Sequence, residues 1–161
     1  MGRVWQLPVQ KLSEILMIPI QGKNIESCVI NFLSEESIKH ECQRCGNQNA
    51  VKTIKIMSEP STLIIQLKRY TYDVKVGRIM KRQDEIECSK SLTLPSGSTY
   101  TMSSIVNHIG SSPTDGHYNV LLYDHLNDGF VLVDDLNISY IMNINSDIKK
   151  LCYIAIYTKD A

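Results

Sequence analysis

The sequence predicts an α+β domain built mainly from antiparallel strands. Three observations predict it. The apolar runs are short and are punctuated by turn residues such as Gly77, Ser96-Gly97-Ser98 and Asn127-Asp128-Gly129. Helical spacing of apolar residues is clear only from Asn24 to Leu33, with Leu136 to Ile148 ambiguous, so one or two helices are expected. The 161 residues, 43% hydrophobic and 21% charged, suit one globular domain with a sizeable core rather than a disordered chain.

In chain order, residues 1 to 20 carry Leu7, Val9, Leu12, Ile15, Leu16, Ile18 and Ile20, punctuated by Pro8 and Pro19, and read as short strands. The helix from Asn24 holds Ile25, Cys28, Val29, Phe32 and Leu33 on one side, with Asn24 as its N-cap. Glu41 to Gly46 is a turn around a Cys-x-x-Cys pair, and Ala50 to Met57 alternates like a strand. Thr62 to Leu67 is a continuous apolar run, the pattern of a strand buried on both faces. Tyr72 to Glu87 reads as a hairpin turning near Gly77, with Lys81-Arg82 as a solvated strand end. Leu92 to Pro95, Tyr100 to His108, His117 to Tyr123, Phe130 to Val133 and Cys152 to Thr158 complete the strands, and Gly110 to Gly116 is a flexible loop.

Bulk properties exclude several roles. Seventeen basic and seventeen acidic residues cancel, which argues against nucleic acid or an anionic membrane as partner. No apolar run approaches a transmembrane length, and Met1 to Pro8 lacks the pattern of a signal peptide. Five cysteines, an odd count without a secretion signal, argue for a reducing interior, cytoplasm or nucleus, and against a disulfide framework.

The chemistry concentrates in Asp115-Gly116-His117-Tyr118 and Phe130 to Asp135. An imidazole titrates near neutral pH, so it can take a proton from a thiol and return it to a leaving amine. A carboxylate must then fix its tautomer through the other ring nitrogen. The reversal at Asn127-Asp128-Gly129 returns the chain so that Asp134 or Asp135 can reach His117, and Gly116 leaves room for a substrate backbone. Cys42-Gln43-Arg44-Cys45 has the spacing of half a tetrahedral zinc site, to which Cys88 or His40 would have to converge. Cys28 and Cys152 read as core residues.

These segments, taken in order, resemble the C-terminal portion of the ubiquitin-specific protease family of deubiquitinases, from about Leu12 onward. Cys42 to Gly46 is similar to the second Cys-x-x-Cys of the family's fingers, and Pro60 to Tyr70 to its Pro-x-x-Leu-x-x-x-Leu-Lys-Arg-Phe strand. Tyr100, Val106, His108 and Gly110 match the strand before the histidine box, Asp115 to Tyr118 with Val133 to Asp135 match the box, and Tyr153 to Tyr157 the closing strand. The resemblance implies the fingers and palm of a hand-like, papain-like cysteine protease domain. Residues 1–58 would be the fingers-like part and 59–161 the palm. His117 would be the general base, Asp134 the orienting acid and Asp135 its neighbour, with Gly116, Tyr118 and His108 facing substrate. The loop 110–116 would border the channel for the ubiquitin tail. No cofactor would be needed for catalysis, a structural zinc at Cys42 and Cys45 would be incomplete, and ubiquitin or ubiquitinated proteins would be the partners.

Departures from the family pattern qualify this. No Gly-x-x-Asn-x-Gly-Asn-Thr-Cys segment occurs, so the nucleophile and the thumb are expected outside this sequence. Phe130 stands where tryptophan is usual, and Asp115 adds a carboxylate beside the base. Two principal readings follow: part of a thiol isopeptidase whose cysteine lies elsewhere, or a module that binds ubiquitin or another partner without cleaving. A hydrolase using Cys28 is a third.

Overall fold

The computed structural model describes residues 14–43 and 45–161. Leu7, Val9 and Leu12 of the expected first strands lie outside that range. The order is β1 (Ile15–Ile18), α1 (Ile25–Leu33), β2 (Glu36–Lys39), β3 (Asn49–Lys52), β4 (Thr62–Leu67), β5 (Tyr70–Asp73), β6 (Arg78–Lys81) and β7 (Ser91–Thr93). Then come β8 (Thr99–Ile109), β9 (His117–Asp124), β10 (Gly129–Asp134), β11 (Asn137–Ile141), α2 (Ser146–Leu151) and β12 (Cys152–Lys159). Eight strands form one sheet in the order β1-β4-β12-β8-β9-β10-β11, with β7 also on β8, while β2–β3 and β5–β6 are separate two-stranded sheets. The expected antiparallel pairing holds except at one edge, where β1 runs parallel to β4, so the main sheet is mixed.

The two faces of this sheet differ. One row, Ile65–Ala155–Ile105–Leu121, crosses four strands and is wholly buried. With Ile18, Leu67, Tyr100, Met102 and Tyr157 it forms the core, each full burial of a large apolar side chain contributing roughly 1.5–3 kcal/mol. The opposite row, Ile154–Val106–Val120–Val133–Ile138, is also apolar but only half-buried, ending on Ile138 at 72% exposure. Thr62–Leu67 is therefore not buried on both faces as its composition suggests. Leu63, Ile65 and Leu67 are inside, whereas Ile64 and Gln66 look onto the open face.

Helix α1 begins as expected. The Asn24 side chain accepts from Ser27 N at 2.7 Å and Ser27 Oγ reciprocates to Asn24 N at 3.2 Å, a capping box. Its spacing buries Ile25, Cys28 and Val29. Strand β1 and helix α1, expected with the fingers-like part, join the main sheet and core instead. Of residues 14–58, β2 and β3 pair with each other outside the main sheet and form an exposed arm. The ambiguous stretch 136–148 resolves into β11 and the start of α2, whose cap is Asn145, accepting from Ile148 N at 2.9 Å.

Arg69 is fully buried and, among the described residues, makes no ion pair. Its guanidinium donates to the carbonyls of Cys152, Asp84 at 2.9 Å, Lys149 at 3.0 Å and Arg82 at 3.3 Å. One side chain thus ties the segment after β6 to α2 and β12. The Lys81-Arg82 pair is not a solvated strand end either. Lys81 is 8% exposed, and Arg82 forks onto Asp84 at 2.9 and 2.8 Å while also donating to Ile20 O at 3.1 Å. Strand β6 ends against the fold rather than in water, so both cations find internal acceptors.

Candidate active site

Strands β9 and β10 form a hairpin whose loop, His125 to Asp128, is held by Asp124. Its carboxylate accepts from Leu126 N at 3.0 Å, Asn127 N at 3.3 Å and Asn127 Nδ2 at 2.7 Å. Asp128 takes the left-handed conformation, φ 54°, that closes the turn. The resulting register pairs Leu132 with Leu121 and Val133 with Val120. One residue further, Asp134 lies across from Asn119 and diagonal to His117, on the same face.

His117 Nε2 and Asp134 Oδ1 are in close hydrogen-bond contact. Asn119 Nδ2 approaches the other carboxylate oxygen at 3.4 Å, and Asn119 Oδ1 accepts from Asn107 Nδ2 at 3.0 Å. A polar chain therefore runs from the imidazole into the buried sheet and ends on Asn107 Oδ1, which is buried without a hydrogen-bond partner. Asp135 follows in a two-residue turn into β11, at φ 52°. Its carboxylate converges with His117 and Asp134, ligand atoms of the three lying within 4.8 Å of one another.

The electrostatics follow from this geometry. Its hydrogen bond to His117, then that from Asn119, holds Asp134 below the ordinary carboxylate value. An ionised carboxylate only accepts, so His117 Nε2 carries the hydrogen and Nδ1 keeps its lone pair. The Asp134 hydrogen bond, the Asp134 charge and, more weakly, Asp135 raise the His117 pKa above 6.5. The imidazolium is thereby favoured once Nδ1 accepts a proton. The side chains remain 44% and 34% exposed, so a reacting group can approach.

The other predicted residues separate. Tyr118 is exposed beside the site at 51%. His108 is 1% exposed and lies beneath the loop 110–116, against Gly110 and Gly116. The want of a side chain at Gly116 serves a different purpose from the expected one. A Cβ there would meet His108 Nε2 at 2.3 Å and Ile109 O at 2.6 Å, so the space is filled by the fold itself. Cys28 is fully buried and burial raises its pKa, which opposes its use as a nucleophile. Cys88 does not converge on the Cys42–Cys45 turn; it is buried with its Sγ 3.0 Å from that of Cys152. Among the described residues, Cys42 and Cys45 belong to no group of three or more metal-ligating side chains, so they do not fit a complete zinc site.

Sequence reasoning missed Asn119 and Asn107. The signal was available: in a period of two, Asn119 shares a face with His117 and interrupts an apolar strand.

The mixed sheet thus displays an imidazole–carboxylate pair at one end, and comparison with known proteins gives its family. The family model for ubiquitin carboxyl-terminal hydrolase matches residues 11–157. Ubiquitin carboxyl-terminal hydrolase 4 of Arabidopsis thaliana is 32% identical over 132 residues, covering 75% of this chain and 36% of the relative. Ubiquitin carboxyl-terminal hydrolase 48 of Danio rerio is 34% identical over 134 residues, covering 74% of this chain and 13% of the relative. A structure of the yeast SAGA DUB module superposes with a TM-score of 0.75 at 25% identity, over 91% of this chain and 35% of the matched one. A SAGA DUB module bound to monoubiquitin gives 0.73 at 26% identity, over the same shares. The chain belongs to the ubiquitin carboxyl-terminal hydrolase family, as a strand-rich part spanning about a third or less of those proteins.

Proposed function

We propose that these 161 residues supply the base and the orienting acid of a thiol-dependent deubiquitinase, and that the attacking cysteine comes from residues outside them. The observation that carries this reading is the His117–Asp134 pair, with Nε2 committed to the carboxylate and Nδ1 left as acceptor. Nδ1 takes the proton of an incoming thiol. The thiolate attacks the carbonyl at the ubiquitin C-terminus, and the imidazolium, stabilised by Asp134, returns the proton to the leaving amine. No cysteine belongs to the group at His117, so the chain alone has a base with nothing to activate.

Ubiquitin carrying a thiol-reactive electrophile at its C-terminus, read by intact mass, tests this. The chain alone is expected to give no adduct. Fusion to the preceding part of the Arabidopsis relative, which would bring the missing cysteine, is expected to give one that is lost in His117→Ala. An adduct on an internal cysteine of the isolated chain would overturn the proposal. No adduct in the fusion, with ubiquitin still bound in a titration, would replace it with a non-catalytic ubiquitin-binding module.

A further inference from the structure

The loop from Gly110 to Gly116 delivers the chain into His117, yet contains two glycines and four Ser, Thr or Pro residues in a row, a composition that does not hold one conformation unaided. Three buried or half-buried side chains grip its backbone. Lys81 Nζ donates to Gly110 O at 3.0 Å and to the adjacent His108 O at the end of β8. Tyr70 Oη donates to Ser112 O at 3.1 Å. His108 hydrogen-bonds the backbone of Asp115, and its ring fills the space beside Gly116. The three also join one another, His108 Nδ1 lying 2.8 Å from Tyr70 Oη and 3.0 Å from Lys81 Nζ.

Tyr70 has one hydrogen for two acceptors, Ser112 O and His108 Nδ1, and Nδ1 has one lone pair for two donors, Tyr70 and Lys81, so these contacts are shared rather than all made at once. An ammonium has three hydrogens, and Lys81 meets three acceptors, His108 O, Gly110 O and His108 Nδ1. With Nδ1 accepting, His108 is neutral and carries its hydrogen on Nε2, the nitrogen nearest Gly116. Burial and the Lys81 charge both disfavour a charged His108. Tyr70 and Lys81 face each other in the β5–β6 register, so both arrive on one hairpin.

We propose that Tyr70, Lys81 and His108 are positioning residues: a clamp that fixes loop 110–116 and through it the backbone from which His117 reaches Asp134. This rests on the reading of His117 as base, but its test does not require turnover. Hydrogen exchange measured by mass spectrometry and the NMR titration of the His117 ring are compared in the native chain, Tyr70→Phe and Lys81→Met. Each variant removes donors while keeping most of the side chain. Exchange at Ser111 to Gly116 is expected to rise about five- to tenfold, the effect of losing one net hydrogen bond, with β4 and β12 as protected as before. The His117 midpoint is expected to fall toward the ordinary imidazole value as its contact with Asp134 loosens. Unchanged loop exchange, an equal loss of protection throughout the sheet, or an unmoved His117 midpoint would each overturn the clamp. Those results leave the electrophile experiment unaffected, so the two proposals fail separately.

Discussion

Replacing Arg69 by methionine should remove a large part of the stability of this chain. The guanidinium is fully buried and meets four backbone carbonyls, those of Cys152, Asp84, Lys149 and Arg82. Methionine fills much of the same volume but donates nothing. Each orphaned carbonyl costs about 1–3 kcal/mol. Against this, the variant avoids desolvating a charge, a cost of several kcal/mol in real proteins. That cost is visible here, since burial lowers the Arg69 pKa from its ordinary value. Four orphaned carbonyls set against that saving leave a net loss of about 3–5 kcal/mol. For a chain of this size each kcal/mol moves Tm by about 2–4 °C, so calorimetry should show a fall of roughly 6–20 °C. Arg69→Lys, with three donors and no planar fork, should fall between the two. Exchange should quicken first at Arg82 to Asp84 and Lys149 to Cys152, the segments that lose their common partner. A methionine variant melting within about 2 °C of the native chain would refute the reasoning.

Other expectations are more local. In Asp134→Asn the His117 midpoint, followed by NMR, should drop, because the hydrogen bond and charge that raise it are gone. In the native chain the pair stabilises most between the unfolded values of about 3.9 for Asp and 6.5 for His. The His117 contribution fades as pH rises through its raised folded pKa, and the Asp134 contribution fades as pH falls through its lowered one; urea melts across pH should trace that window. Gly116→Ala should cost about 1–3 kcal/mol, because φ is 154° and the new Cβ meets the immobile His108 ring; an unchanged melt would contradict the packing described. A thiol reagent should modify exposed Cys45 quickly, and Cys28, Cys88 and Cys152 only on unfolding, as read by mass. The open apolar face should drive self-association in sizing chromatography, and Ile138→Lys with Tyr140→Lys should reduce it.

Local signals located most of the site and much of the fold. The Asn24 cap, the Gly77 hairpin and the Asn127-Asp128-Gly129 reversal each rest on residues within a few positions of one another, and each is found where chain chemistry puts it. The reversal alone brings Asp134 to His117. What the sequence did not disclose depends on distant partners. Lys81 and Arg82 read as surface charges because their acceptors, the carbonyls of His108, Gly110 and Ile20, are backbone atoms with no signature in sequence. The contacts of His108 with Tyr70, Lys81 and Gly116 likewise join residues distant in sequence and had no local signal. The continuous apolar run of β4 was equally ambiguous. It matches a strand buried on both faces, but also one whose second apolar face is left open.

The arm formed by β2 and β3 behaves as a unit of its own in energetic terms. Two strands without a third are marginal in water. These are almost wholly exposed, and their cross-strand ion pair, Lys52 with Glu36 at 2.9 Å, is solvated enough to add little. Opening the arm therefore costs far less than opening the sheet, and the two transitions are uncoupled. A partner of that arm meets an exposed two-stranded unit with little beneath it, whereas a partner of His117 meets a side chain held by Asp134 at one end of a packed sheet.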